Sequence, residues 1–268
     1  MSTIETSSEK SSFSRRNLLR TAAGSAVAIA IAAGCGGSSH SQAAGVTDAD
    51  ILNFALNLEY LEAEFYTYAT TGNGITNAGV GVTGTGSTGA TTGGSQVQFV
   101  DPNLKAVALE LAADEQAHVN FLRAALGSQA VAKPAINLNA LGIGFASDQQ
   151  FLTLARAFED TGVSAYGGAV TYISSKTYLQ AAAQILGTEA LHAGNLRLFI
   201  DQKSISITAL DSLDVVPPPA GTQFFTTTPP AQSALAVIRT TTQVLNIVYA
   251  GGAHSGGFFP NGLNGNIH

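Results

Sequence analysis

Leu56-Asn57-Leu58-Glu59-Tyr60-Leu61-Glu62-Ala63-Glu64-Phe65-Tyr66 sets carboxylates into an otherwise apolar helical run, and three later stretches complete its meaning. Asp114-Glu115-Gln116-Ala117-His118 carries a glutamate and a histidine three apart, Phe158-Glu159-Asp160 a lone glutamate, and Glu189-Ala190-Leu191-His192 a second Glu-x-x-His pair. Two single carboxylates and two such pairs, one group per helix, are the ligand set of a carboxylate-bridged two-metal centre in a four-helix bundle. One Glu-x-x-His alone says little in a helical protein. Two of them, alternating with lone glutamates, say much more.

The chain repeats itself around these residues. The first and third helices match at an offset of one hundred: Phe54 with Leu154, Ala55 with Ala155, Leu58 with Phe158, Glu59 with Glu159, Ala63 with Val163, Tyr66 with Tyr166. The second and fourth match at another offset: Leu111 with Ile185, Glu115 with Glu189, His118 with His192, Arg123 with Arg197. A duplicated helical hairpin accounts for both. The repeat also chooses between Glu59 and Glu62, because Glu59 has Glu159 as counterpart whereas Glu62 has Gly162. Glu62 is then a carboxylate beside the site or a substitute ligand, and Glu64 is expected to face solvent.

Around these groups an all-α fold is expected, a four-helix bundle with a long crossover loop and an additional C-terminal helix. Thr47 or Asp48 caps a first helix running to about Ala69, with Ile51, Ala55, Leu58, Leu61 and Phe65 recurring at helical spacing. Gly72 to Ser95 is a Gly/Thr/Ser stretch of low complexity, expected to be the crossover loop or a flap that adds little to a core. Asp101-Pro102 opens a second helix that stops at Gly127. After an irregular connection over 134–144, Ser147 caps a third helix expected to reach Ile173, with Gly162, Gly167 and Gly168 offset by close helix–helix approach. The fourth runs to about Lys203. Pro229-Pro230 precede a last helix, Ala231 to about Tyr249, and a glycine-rich tail with Phe258 and Phe259 is expected to wrap a surface.

The first 35 residues are read as a leader. Arg15-Arg16 ahead of a moderately apolar run resembles a twin-arginine export signal, and that run is too short to span a membrane stably. Ala32-Ala33-Gly34-Cys35 resembles a degenerate lipoprotein cleavage box, and Cys35 is the sole cysteine, so an intrachain disulfide is impossible. The expected divisions are a leader over 1–35, a tether over 36–47, the bundle over 48–204 and a C-terminal extension over 205–268 packed on the bundle. The expected destination is the periplasm or cell envelope, with the membrane touched only through a lipid on Cys35. Without the leader the chain holds eight basic and sixteen acidic residues and no basic cluster, which argues against nucleic acid as a partner. Charged residues are only 11% of the chain, which suits extensive helix–helix burial with Gly/Thr/Ser loops.

Residues three apart share a helix face. Glu115 and Glu189 can therefore bridge two ions, with His118 and His192 each donating to one, and Glu59 and Glu159 as terminal carboxylates. Four carboxylates balance two divalent cations; without metal, their mutual repulsion in a low-dielectric core raises some of their pKa values. Carboxylate with imidazole favours two iron or two manganese ions over thiolate-seeking metals. Tyr66 and Tyr166, two turns after their glutamates, can donate to metal-bound carboxylates, carry an electron, or sit as ordinary core tyrosines. Asp114 or Asp160 can accept from the free nitrogen of a ligand histidine. Arg123 and Arg197 are expected to pair with carboxylates or cap helix ends, and His40, His254 and His268 to lie apart from the site.

These motifs are similar to those of the ferritin-like superfamily, and most to exported ferritin-like proteins related to plant desiccation-related proteins. The resemblance covers about Asp48 to Asp201 and implies that Glu59, Glu115, His118, Glu159, Glu189 and His192 are the metal ligands, by similarity to bacterioferritin-type sites. The Gly/Thr loop and the extension depart from cage-forming ferritins and argue against mineral storage in a shell. Two functions are then expected to compete. One is a metal-dependent protein reacting with oxygen or peroxide in stress protection; the other is a non-catalytic envelope or desiccation-protective protein with a vestigial site.

Overall fold

A computed structural model describes residues 45–217 and 235–268. The expected leader, Cys35, most of the tether, Pro229-Pro230 and the expected helix start at Ala231 lie outside the described residues. Four long helices, α1 (Asp48–Thr71), α2 (Pro102–Leu126), α3 (Asp148–Ala169) and α4 (Lys176–Gln202), carry the architecture, and a short α5 (Thr241–Val248) follows. Among the described residues, no helix is long and apolar enough to cross a membrane.

Each start has a chemical cause. Thr47 and Asp50 form a reciprocal capping box at α1. Asp101 accepts from the amides of Asn103 and Leu104 with Pro102 in the first turn of α2, and Ser147 and Ser175 accept from Gln150 and Tyr178 at α3 and α4. Gly72 ends α1 with φ of 76°, a left-handed conformation that only glycine adopts cheaply.

Side-chain bonds between helices fix their directions. Tyr60 meets Arg123 while Thr67 meets Gln116, so α1 and α2 are antiparallel. Tyr66 meets Glu159 and Tyr166 meets Glu59, so α1 and α3 are antiparallel as well. Arg197 meets Asp160, and Glu189 lies against Gly162, which makes α3 and α4 antiparallel. Since α2 and α3 consequently run the same way, residues 127–147 must travel the length of the bundle, and they are the connection that crosses it.

The glycine-rich stretch has a different course from the one expected. It leaves and re-enters the bundle at one end, passes Arg123 at Thr83, and returns beside the crossing segment in parallel pairing. The pairing is Thr85 with Val131, then Thr91–Thr92 with Ile136–Asn137. Nor is it without core: Ile75 and Val80 are buried, because the short 3-10 turn Ile75–Ala78 folds back onto α1. Glycine is needed for this register. A Cβ at Gly84 would lie 2.2 Å from the carbonyl oxygen of Ala130, and one at Gly89 2.2 Å from the amide nitrogen of Ala135.

Two expected boundaries move, and the tail differs as well. α3 ends at Ala169 rather than Ile173, and Gly167 and Gly168 remain helical. Their compensation is close approach to Ile238 and Arg239 of the extension, a Cβ on Gly168 falling 2.1 Å from the Arg239 carbonyl oxygen. The last helix begins at Thr241, and residues 235–240 are not helical, because Arg239 is held by its amide on Ser164 and its guanidinium on Asp211. The tail does more than wrap a surface: Phe258 and Phe259 are buried, and Phe258 packs edge-on against Phe158.

Candidate metal centre

Charged side chains are buried together between the four long helices. Glu59, Glu115, Glu159 and Glu189 are wholly buried there, with His192 buried and His118 at 12% side-chain exposure. All six residues picked out by spacing are brought together, in two sets. Glu59, Glu115, His118 and Glu189 form one; Glu115, Glu159, Glu189 and His192 form the other, and in each set the donor atoms lie within 4.8 Å of one another. Ions of this kind bind oxygen and nitrogen at about 2.1 Å, so donors on opposite sides of one ion stand about 4 Å apart. Glu115 and Glu189 belong to both sets, as expected of bridging carboxylates.

His118 Nδ1 lies 3.2 Å from Glu59 Oε2, 2.9 Å from Glu115 Oε2 and 3.4 Å from Glu189 Oε1. His192 Nδ1 faces Glu115 Oε1 at 2.9 Å and Glu159 Oε2 at 3.3 Å. Those three atoms and both Glu189 oxygens are buried without a partner in hydrogen-bonding geometry. Their lone pairs converge on shared points instead of on one another's protons. Buried polar atoms are almost always satisfied, and a cluster of five orphans in one spot fits a set of metal donors.

Electrostatics agree. Burial pushes the Glu115 carboxyl up to about 7 against the pull of His118 and His192, and burial with the Glu115 and Glu159 charges drives Glu189 well above the carboxylate range. Glu59 is held low despite burial, through the charge and hydrogen bond of His118. His192 is raised to about 12: burial opposes the charged ring, but the close carboxylates of Glu115 and Glu159 prevail. Protons occupy this cluster where cations could, as expected of a crowd of carboxylates kept from water.

The surroundings orient the side chains of the cluster. Tyr66 donates to Glu159 Oε1 at 2.6 Å and Tyr166 donates to Glu59 Oε1, each crossing to the opposite helix. Asp114 Oδ2 lies 3.1 Å from His192 Nε2, which leaves Nδ1 of that ring for the cluster. Asp160 does not serve a histidine; it binds Arg197 through both oxygens and also Arg156. Arg197 pairs with a carboxylate as expected, whereas Arg123 donates to the Tyr60 hydroxyl and the Thr83 carbonyl. Neither His254 nor His268 belongs to the cluster.

One expectation fails outright. Glu64 is 2% exposed; it accepts from the Ile75 amide and pairs with buried Lys133 at 3.4 Å. Glu62 is buried too, beside the cluster rather than in solvent. Burial and the charges of Glu189, Glu159, Glu115 and Glu59 raise its pKa strongly.

Residues 47–202 match the model of the ferritin-like domain family, well over half of the chain, and the protein belongs to that family. It is also similar to the ferritin-like catalase Nec2 of Nesocodon mauritianus, at 23% identity over 272 aligned positions covering 83% of this chain and 86% of that protein.

Proposed function

We propose that this protein holds two iron or two manganese ions between α1, α2, α3 and α4 and disproportionates hydrogen peroxide, turning two peroxide molecules into one dioxygen and two waters. The observation that carries the reading is the pair of buried donor sets sharing Glu115 and Glu189, whose orphaned oxygens and nitrogen point at common centres. The relative's name, a ferritin-like catalase, supports peroxide as the oxidant.

Bound there, a metal pair supplies reversible electron transfer and Lewis acidity. The chain's own part is positional. Glu115 and Glu189 would contribute to holding both ions, with Glu59 and His118 completing one site and Glu159 and His192 the other. Tyr66 and Tyr166 fix the outer oxygens of the terminal carboxylates, while Asp114 fixes the His192 ring. Phe65 and Phe151 pack edge-on against Tyr66, and Phe65 also meets Phe158, which steadies the tyrosine that donates to Glu159. His118, at 12%, and Asp114, at 39%, have more exposed side chains than the wholly buried glutamates of the cluster.

The site of action we propose is the cell envelope, reached by twin-arginine export and secured by a lipid on Cys35, in a protective role against oxidants. The Arg15-Arg16 leader and the Ala33-Gly34-Cys35 box support this. Because that route carries folded chains, metal can be inserted before export.

The test is oxygen evolution. Protein loaded with Fe(II) or Mn(II) is given hydrogen peroxide under an oxygen electrode, alongside metal-free protein. The expected yield is half a mole of dioxygen per mole of peroxide from the loaded form only. Peroxide loss without dioxygen release contradicts disproportionation.

A further inference from the structure

The reciprocal bonds of Tyr66 to Glu159 and Tyr166 to Glu59 place the crossing of α1 and α3 midway between 59 and 66 on one helix and 159 and 166 on the other. Positions 62 and 162 therefore face each other across the pseudo-twofold axis. They hold unlike residues, glutamate and glycine, although their helices otherwise repeat each other here. Glycine in the interior of a helix costs about 1 kcal/mol relative to alanine. Gly162 has no positive φ to justify it.

Space explains it. A Cβ on Gly162 would lie 2.4 Å from Glu189 Oε2 and 3.2 Å from Glu62 Oε1. The missing side chain is thus the room into which two carboxylates project, one of them shared by both donor sets and the other outside the six. Glu62 is 3% exposed, and the groups acting on it most strongly are four carboxylates of its own sign. A buried carboxylate in such company takes either a proton or a cation, and a metal ion beside it can supply the latter. Among the described residues, the nearby lysine already serves Glu64 from the other side of the helix.

We propose that Glu62 is a seventh ligand of the two-metal centre, a fifth carboxylate seated on the pseudo-twofold axis in the space that Gly162 leaves and bonding a metal ion beside Glu189. This inference rests on the two-metal reading above and deepens it. On the axis, Glu62 is placed alike toward both ions, so one residue suffices where the repeat would supply two, and a second side chain at 162 would exclude it. Five carboxylates exceed the charge of two divalent ions by one, so the site favours a higher total metal charge than the six-residue set does.

The experiment is a Co(II) titration of the full chain by equilibrium dialysis, read together with visible d–d absorption, for wild type, Glu62→Gln, Glu62→Asp and Gly162→Ala. Circular dichroism confirms the fold of each. Wild type is expected to bind two cobalt ions. Glu62→Gln should bind at least one of them tenfold or more weakly, with stronger d–d absorption because an ion has lost a ligand. Glu62→Asp keeps the charge but shortens the reach; the same weakening there separates ligation from a mere charge effect. Gly162→Ala should weaken binding by crowding both carboxylates. Two cobalt ions bound with wild-type affinity and spectrum in Glu62→Gln and Glu62→Asp would overturn the inference while leaving the two-metal reading intact. If wild type itself binds no cobalt, both fall.

Discussion

The two hairpins of this bundle agree where they touch the centre and part company one step outward. Glu59, Tyr66, Glu115 and His118 in the first have Glu159, Tyr166, Glu189 and His192 in the second, in the same roles across the axis. The agreement reaches the helix ends. Asp48 accepts the amides of Ser174 and Ser175 before α4, and Asp148 accepts those of Val100 and Asp101 before α2, at the equivalent positions of the repeat. The outer partners differ. Arg197 binds Asp160 through two charged bonds, but its counterpart Arg123 finds the neutral Tyr60 hydroxyl. His192 is backed by Asp114, whereas the position equivalent to Asp114 in the other hairpin is Thr188. The difference teaches that the buried Glu/His cluster is matched in both halves, while what steadies each half differs.

The largest expected effect tests the shared core. Replacing Glu115 and Glu189 together by glutamine removes the residues common to both donor sets, so metal content should fall from two ions to none. Replacing Glu59 or Glu159 alone should remove about one. Inductively coupled plasma mass spectrometry checks the counts, and two ions retained in the double variant would refute the sharing.

The same carboxylates govern the pH response of the metal-free protein. Glu115 keeps a proton in the fold up to about pH 7, whereas an unfolded glutamate releases it near 4.5. His192 keeps its proton far above the 6.5 of an unfolded histidine. Both raised values mean that the folded state binds more protons, so stability falls as pH rises from 4.5 through 7, and further above 6.5. Glu59, held low, acts only below that window. Melting temperature of the metal-free form should decline from pH 5 to pH 8, and metal affinity should rise over the same interval because ions replace protons. A melting temperature that climbs with pH in the metal-free form would contradict the assignment.

The peripheral asymmetry predicts unequal arginines. Arg197→Ala removes two charged bonds to Asp160, leaving Arg156 as its partner, and should cost about 2.5 kcal/mol by chemical denaturation. Arg123→Ala loses hydrogen bonds to neutral groups and should cost about 1.5 kcal/mol. Equal losses would show that the two outer networks carry the same energy despite their different chemistry. The smallest effect is expected at the histidine supports: Asp114→Asn should weaken the ion on His192 by about tenfold. Thr188→Asp should strengthen the ion on His118, an effect readable by competition with a chelating dye.

Much of the Glu/His cluster was legible because side chains that meet at one place must sit at fixed spacing on fixed faces, and the repeat supplied a second copy of each. The crossed tyrosines follow from the seven-residue spacing once α1 and α3 are known to run antiparallel, a fact that no local pattern carries. Glu64 was misread because its partner, Lys133, lies on the crossing segment, and a glutamate that follows two others on a helix has no local sign of burial. The reciprocal Asp48 and Asp148 caps were silent for another reason: they bind backbone amides, which leave no trace in side-chain identity. The path of residues 72–101 was hidden likewise, since its register depends on glycines that pass under backbone. The late start of α5 was set by Arg239 reaching Asp211 and Ser164, long-range bonds that override helix propensity.

The most direct test is a crystal structure of the protein loaded with iron or manganese, with anomalous difference maps recorded on either side of each absorption edge. Two peaks are predicted, one among Glu59, His118, Glu115 and Glu189 and the other among Glu159, His192, Glu115 and Glu189. A bundle with its helices in place and no anomalous density between those side chains would contradict the account.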